Sequence, residues 1–294
     1  MARLNEVPFV KGHGTGNDFV IIPDLEGRLD LTDEQVRWVC DRHRGIGANG
    51  VLRVVRTDRM PEFADFAPVA EFFMDYRNAD GSLAEMCGNG ARVFVRYLDA
   101  TGLVTDNDVV IATRGGLRST TINSDRTITI DMGQATTPRA RALPHVTVDD
   151  RTWPATGVLV PNPHAVVFVG DLAEAGSLQA APSVAPADVF PDGVNVEFVV
   201  DRGPNHVAMR VHERGVGETL SCGTGACAVA WAARRRHGDP TPGEPGLGEP
   251  GLGESTWQVD VPGGTVHVTE TAAGAMLLTG PADLVARGTI LLPG

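Results

Sequence analysis

The apolar positions of the chain fall mostly into short β-branched runs. Val7–Val10, Phe19–Ile22, Val51–Val55, Val109–Ile111, Thr127–Ile130, Val166–Val169, Val194–Val200 and Val207–Val211 have the length and composition of strands. Gly, Pro, Asn or Asp separates many of them, and Asn123-Ser124-Asp125 joins two runs as a hairpin turn would. Three stretches read as helices. Thr32, with Gln35 three residues on, forms a capping box opening a helix through about Arg42. A second helix runs from about Gly88 to Ala100 and stops at Gly102. A third runs from about Gly223 to His237, with Arg234, Arg235 and Arg236 in its last turn and Gly238 behind it. Cations at a helix C-terminus followed by glycine are stop signals, so the arginine cluster is read as an end rather than as a binding patch. Residues 243–254, GEPGLGEPGLGE, hold too much Gly and Pro for a packed element and are expected to form a mobile surface loop.

Charge narrows the function classes. The 294 residues carry 37 acidic against 25 basic side chains, a formal net charge of −12, and only 5% are aromatic. An acidic surface repels phosphate backbones and few rings are available for stacking, so no nucleic-acid partner is expected. The N-terminus lacks the basic start and apolar core of a signal peptide, and no stretch approaches the roughly 18 apolar residues of a membrane span. A cytoplasmic protein with no membrane partner is expected. Four cysteines without CxxC spacing make neither a disulfide framework nor a metal site. The chain has a single lysine, Lys11, so a pyridoxal Schiff base could form only there, and no cofactor is expected.

The candidate chemistry comes from an internal echo. Met86-Cys87-Gly88-Asn89-Gly90-Ala91 returns as Ser221-Cys222-Gly223-Thr224-Gly225-Ala226, 135 residues later. Nine residues before each cysteine stands a polar residue, Asn78 and then Glu213. Upstream, Asn17-Asp18-Phe19 is answered by Asn162-Pro163-His164, and Gly50 by Asn195, both at an offset of 145. Two related domains with loops of different length are the simplest account.

Each cysteine sits just ahead of a helix whose first N–H groups have no intrahelical partner, and glycines let that backbone approach a ligand. The positive end of the helix stabilises an anion such as a carboxylate, and is expected to lower the pKa of the adjacent thiol. Two such segments acting on one carboxylate would put a thiol on either side of a stereocentre. One sulfur, as thiolate, removes the α-proton; the other, as thiol, delivers a proton to the opposite face. The N–H groups stabilise the charge that builds on the carboxylate.

Five runs then carry a resemblance. Lys11 through Phe19 (KGHGTGNDF), Arg77 through Arg92, Asn162-Pro163-His164, Asn195-Val196, and Glu213 through Gly225 closely resemble diaminopimelate epimerases. The resemblance implies a pyridoxal-independent isomerase that interconverts LL- and meso-diaminopimelate, on the route to lysine and peptidoglycan, and that works as a homodimer on a small-molecule substrate. It implies an α/β (α+β) fold of two pseudo-symmetric domains, each a strand-rich barrel around a central helix, with the active site in the cleft between them. The domains would span 1–131, joined by a returning strand at 281–294, and 132–280. Cys87 and Cys222 would be the acid/base thiols, and N–H groups of Gly88, Asn89, Gly223 and Thr224 would hold the reacting carboxylate. Asn17 and Glu213 would contact the reacting amino group. Asn78, Asn162, Asn195 and Arg214 would grip the distal end, and His164 and Glu213 would tune the thiols. Gly50, where many members carry a polar side chain that Asn49 could replace, Gly12 in place of a usual aromatic, and the 243–254 repeat depart from the family pattern.

Two alternatives stay open on sequence. One is a racemase or epimerase of another amino acid, of proline or hydroxyproline type, against which the distal set including Arg214 speaks. The other is a thiol-redox or amino-acid-binding protein. Cys40 and Cys227 are read as core packing, and His13 and His43 as turn residues.

Overall fold

The computed structural model, which describes residues 5–139, 142–238 and 254–293, opens on a hairpin. β1 (Asn5–Gly14) and β2 (Asn17–Pro23) are joined through Thr15 and Gly16, both with positive φ (48° and 78°), as a type I′ turn requires. Then come α1 (Asp33–Cys40), β3 (Gly50–Arg56), β4 (Phe72–Asn78), α2 (Gly88–Ala100), β5 (Asp108–Thr113), β6 (Gly116–Ile122) and β7 (Ile128–Gln134). The second half holds β8 (His145–Val148), β9 (Arg151–Pro154), β10 (Thr156–Val160), β11 (Asn162–Phe168), β12 (Ser183–Ala185), β13 (Asn195–Gly203), β14 (His206–Glu213) and β15 (Gly217–Thr219). It continues through α3 (Gly223–Gly238), β16 (Ser255–Val261), β17 (Gly264–Glu270) and β18 (Ala275–Gly280), and β19 (Asp283–Leu292) ends the set. The Gly/Pro repeat at 243–254, save its last residue, lies outside the described residues.

The chain divides into two compact units, residues 1–130 with 280–294, and residues 131–279. In unit 1 the strand order is β7-β6-β5-β4-β3-β2-β1-β19. β2 runs parallel to β3, β3 antiparallel to β4, and β4 parallel to β5. Unit 2 repeats this pattern: β11 parallel to β13, β13 antiparallel to β14, β14 parallel to β16. Even the register recurs, with Phe19 opposite Gly50 in one and His164 opposite Asn195 in the other, each pair 145 residues from its counterpart. The short strands β12, β8 and β9 form a separate small sheet in unit 2.

Each sheet packs on one long helix. α2 touches β1, β2, β3, β4 and β19, and α3 touches β10, β11, β13, β14, β16 and β17. Residues 88–98 of α2 and 225–233 of α3 are buried, as expected of helices covered on all sides. α1 has its capping box, Thr32 accepting from Gln35 N and Gln35 reaching back to Thr32 N, and ends two residues short of Arg42. Its Val36, Val39 and Cys40 join Val7, Val20, Ile22, Val51, Ile290 and Leu292 in a core on the other face of the unit 1 sheet. Asn123 N bonds Thr127 O and Arg126 takes φ 69°, closing the β6–β7 hairpin.

Candidate active site

In unit 1 the I′ turn sets Asn17 at the first position of β2, and the α2 N-terminus meets it there. Cys87 is the N-cap of α2: its sulfur accepts from Gly90 N at 3.5 Å and its carbonyl from Ala91 N at 2.8 Å. Asn17 Oδ1 lies 3.7 Å from Cys87 Sγ and 3.5 Å from Asn89 Nδ2. Asn17, Cys87 and Asn89 therefore share one corner, with Gly88 as the first residue of the helix. Behind it Arg92, fully buried, donates to Asn89 Oδ1 (2.8 Å), Thr15 Oγ1 (3.2 Å) and Pro281 O (3.3 Å). One guanidinium thus ties the strained turn to the helix start. Gly90 stands 3.4 Å, by its absent Cβ, from Leu52 and Phe19, which fixes the approach of the helix to the sheet.

Asn78 ends β4 opposite Gly50, and its amide donates to Ser82 Oγ at 3.0 Å rather than to the thiol corner. At Gly50 a Cβ would meet Arg77 O at 2.6 Å and a Tyr76 ring carbon at 2.7 Å, so this chain has no room for a side chain there. Beside it, Asn49 Oδ1 accepts from Asp18 N at 3.1 Å. Gly12 is likewise fixed by packing, its Cβ position 2.8 Å from Asp283 O. Lys11 is engaged by Asp18 (2.7 Å) and by the Gly47 carbonyl.

Unit 2 builds its counterpart differently. Cys222, 5% exposed, precedes α3; its sulfur accepts from Gly225 N at 3.3 Å and faces Thr224 Oγ1 at 3.4 Å, and its carbonyl accepts from Ala226 N. Glu213, at the end of β14, takes a hydrogen bond from the Thr219 hydroxyl and approaches the Cys222 thiol. On β11, His164 is wholly buried, with Nδ1 2.6 Å from Glu197 Oε1 and Nε2 3.1 Å from Asn162 Oδ1. Asn195 Oδ1 accepts from Arg214 N at 2.8 Å, while the exposed Arg214 guanidinium donates to Asp192 O at 2.7 Å and lies along Gly193.

Electrostatics set the Cys222 thiol apart from an ordinary cysteine. Burial pushes the Cys222 thiol well above its ordinary pKa, and the Glu213 and Glu197 carboxylates push further; the Thr224 hydroxyl and Gly225 N–H pull the other way and are outweighed. A lowered thiol pKa at this helix start is therefore overturned: the positive helix end is present, but desolvation and two carboxylates dominate. Burial also raises the Glu213 carboxyl, opposed by the Thr219 hydroxyl and reinforced by Glu197.

Sequence reading missed Glu197, Thr219 and Arg92. Glu197 is the one charged residue in the apolar run Val194–Val200, and that isolation was the available signal. The remaining candidates take structural places. Cys40, buried with its thiol pushed up to about 12 by desolvation, belongs to the core, and Cys227 is buried too. At the end of α3, Arg235 pairs with Glu270 (2.9 Å) and stacks on Trp231 (3.7 Å to the ring centre), while Arg234 also reaches Glu270 (3.1 Å).

Comparison with known proteins decides between the family readings. The family model for diaminopimelate epimerase matches residues 9–138 and 157–285. The chain belongs to the diaminopimelate epimerase family. The diaminopimelate epimerase of Streptomyces coelicolor is 56% identical over 283 residues, covering 96% of this chain and 94% of that protein. The Thermobifida fusca diaminopimelate epimerase is 44% identical, covering 97% and 98%. Among solved structures, a Bacillus anthracis phenazine biosynthesis protein of the PhzF family superposes with a TM-score of 0.65 at 17% identity, covering 98% of this chain and 100% of that one. A hydroxyproline epimerase from Agrobacterium vitis does so at 0.61 and 16%, covering 99% and 92%. These distant structures share the two-domain α/β fold alone, whereas the diaminopimelate epimerases match this chain in sequence from end to end of the motif set.

Proposed function

We propose that this diaminopimelate epimerase interconverts LL- and meso-diaminopimelate by moving the proton of one α-carbon between two thiols, Cys87 and Cys222. The observation that carries the reading is the repeated construction of unit 1 and unit 2. Each ends its fourth strand at a polar side chain and then sets a cysteine sulfur beside the first free N–H groups of a buried helix.

The proton balance needs one thiolate and one thiol. A thiolate takes the α-hydrogen of the substrate while the other thiol gives its hydrogen to the opposite face, so the pair ends each turnover with its protonation exchanged. The α-proton is a very weak acid, and N–H groups of Gly88, Asn89, Gly223 and Thr224 stabilise the charge that develops on the substrate carboxylate. In the LL-to-meso direction Cys87 acts as the base and Cys222, buried beside Glu213 and Glu197, as the thiol; in the reverse direction the roles exchange. Asn17 and Glu213 receive the reacting ammonium group. Asn78, Asn162, Asn195 and Arg214 hold the distal carboxylate and amine, a set that a proline-sized substrate does not require. His164 and Glu213 tune the Cys222 side. The reaction serves lysine and peptidoglycan-precursor synthesis, and the enzyme works in the cytoplasm as a homodimer without a cofactor. Among the described residues no helix is long and apolar enough to cross a membrane.

Incubation of the reduced protein with LL-diaminopimelate in D₂O, with L-proline in parallel, tests the reading. Meso product bearing α-deuterium, with no exchange of proline, is the expected result. Deuterium entering proline instead would move the enzyme to the other substrate class, and no exchange in either would return the thiol pair to a binding or redox role.

A further inference from the structure

Glu197 is costly to bury. Its side chain and that of His164 are both 0% exposed, and among the described residues its Oε2 has no hydrogen-bond partner. Burying a carboxylate carries a desolvation penalty that pairing must repay, and apolar residues of similar volume often replace a buried ion pair without loss of stability. The position is nevertheless tightly built. The parallel register puts His164 opposite Asn195, two residues from Glu197, so the imidazole leans along the sheet to the carboxylate at 2.6 Å.

The other side of Glu197 faces the start of α3. A Cβ on Gly225 would stand 2.8 Å from Glu197 Oε1 and 3.3 Å from Cys222 Sγ. The carboxylate and the thiol thus flank the same methyl-sized space, which only glycine leaves open. Three groups from three elements face this carboxylate: His164 of β11, Glu213 of β14, and the Cys222 thiol before α3.

We infer that Glu197 is a positioning residue of the epimerase: its carboxylate accepts a hydrogen bond from His164 Nδ1–H, fixing the ring's orientation, and sets a negative charge behind Cys222, so that this sulfur carries the proton when the pair meets an LL substrate. The inference rests on the proposed role of Cys222 as an acid/base thiol. It gives one buried carboxylate on a neighbouring strand a share, beside burial and Glu213, in what distinguishes Cys222.

The test follows the Cβ resonances of the cysteines against pH in the full-length enzyme and in Glu197→Gln, which keeps the side-chain volume and removes the charge. The titration midpoint of Cys222 should fall by about one pH unit, a tenfold change in its ionisation, while that of Cys87 stays in place. The alkaline limb of kcat/KM should move with it. An unchanged Cys222 midpoint in a folded Glu197→Gln protein overturns the inference. If that variant does not fold, the unaltered enzyme still decides: a persistent His164 Nδ1–H resonance through the neutral range supports the assignment, and a ring protonated on Nε2 alone overturns it. Cys222→Ala separates the two levels. Near-normal epimerisation by that variant would sink the two-thiol reading itself, whatever Glu197 does.

Discussion

The two Cys-Gly-x-Gly-Ala segments share a backbone and differ in what surrounds the sulfur. Cys87 is half-buried at its helix N-cap, where Asn17 Oδ1 lies 3.7 Å from its sulfur and Asn89 in turn donates to Asn17. Cys222 is buried, and its surroundings are carboxylates, Glu213 and Glu197, with a histidine and a threonine between. A duplicated fold reproduces donor geometry readily because helix N-termini come with the backbone. Protonation at Cys222 is set first by burial and then by carboxylates that its own copy carries. For the proposed reaction, which needs one thiolate and one thiol at the outset, the repeat would supply two equivalent anchors and the different surroundings would make the sulfurs unequal.

The largest expected effect removes one side of the comparison. Cys87→Ala or Cys222→Ala should each lower kcat by about 10⁴-fold or more, since a general acid–base group contributes roughly 10²–10⁴ and these two act together. Steady-state epimerisation measures this, and solvent-deuterium exchange without inversion would show the surviving thiol acting on one face. Making the shells alike comes next. Glu213→Gln turns the Cys222 side toward the neutral character of the Cys87 side and should cost about 10²-fold in kcat, with the Cys222 titration moving down because a carboxylate that raised it is gone.

The helices also differ at their far ends, and this gives a stability contrast of intermediate size. α3 is held by Arg234 and Arg235 on the 9%-exposed Glu270 carboxylate, whereas α2 closes with Arg96 on Asp99 (2.7 Å) and the Thr101 hydroxyl on Tyr97 O. Burial opposes the charge of Glu270, but the two guanidiniums outweigh it and hold its carboxyl below the ordinary glutamate range. A depressed folded-state pKa gives stability that is present above the unfolded value and lost as pH falls through the folded one. Glu270→Gln should therefore destabilise unit 2 by about 2 kcal/mol at neutral pH, and the difference from the parent should vanish in acid, as read by denaturant melts at several pH values. The smallest effect is the reciprocal swap. Asn17→Asp brings a carboxylate to Cys87, raises that thiol, and should lower neutral-pH activity by about tenfold with recovery at higher pH. A fall that persists unchanged into alkali would mean that Asn17 acts through geometry instead.

These contrasts mark where sequence reasoning succeeded and where it stopped. α2 is readable to the residue because its start is a glycine-rich N-cap and its stop is Gly102, both local signals. The 145-residue offset anticipated a register that the sheets then repeat, since sheet register follows residue spacing. β4 was harder: Phe72 to Tyr76 are buried without a break, so no alternation announces a strand. The shift of the Cys222 thiol was beyond local reading, because Glu197 and Glu213 lie 25 and 9 residues before it and reach it only through strand pairing. Glu197 hides in an apolar run for the same reason, its partner His164 being 33 residues upstream.

One feature of the sheet bears on how the chain is made. β19 pairs along nearly the whole of β1, places Ile290 and Leu292 in the α1 core, and gives Gln35 its Pro293 carbonyl at 2.8 Å. Unit 2 is one continuous stretch of chain, residues 131–279. Unit 1, begun first, keeps an open edge on β1 until residues 283–292 arrive, and its closure spans nearly the full sequence separation of the protein. The half that carries Cys87 thus has its β1 edge closed by the last described strand of the chain, across nearly the whole sequence, whereas unit 2 is built from one continuous stretch.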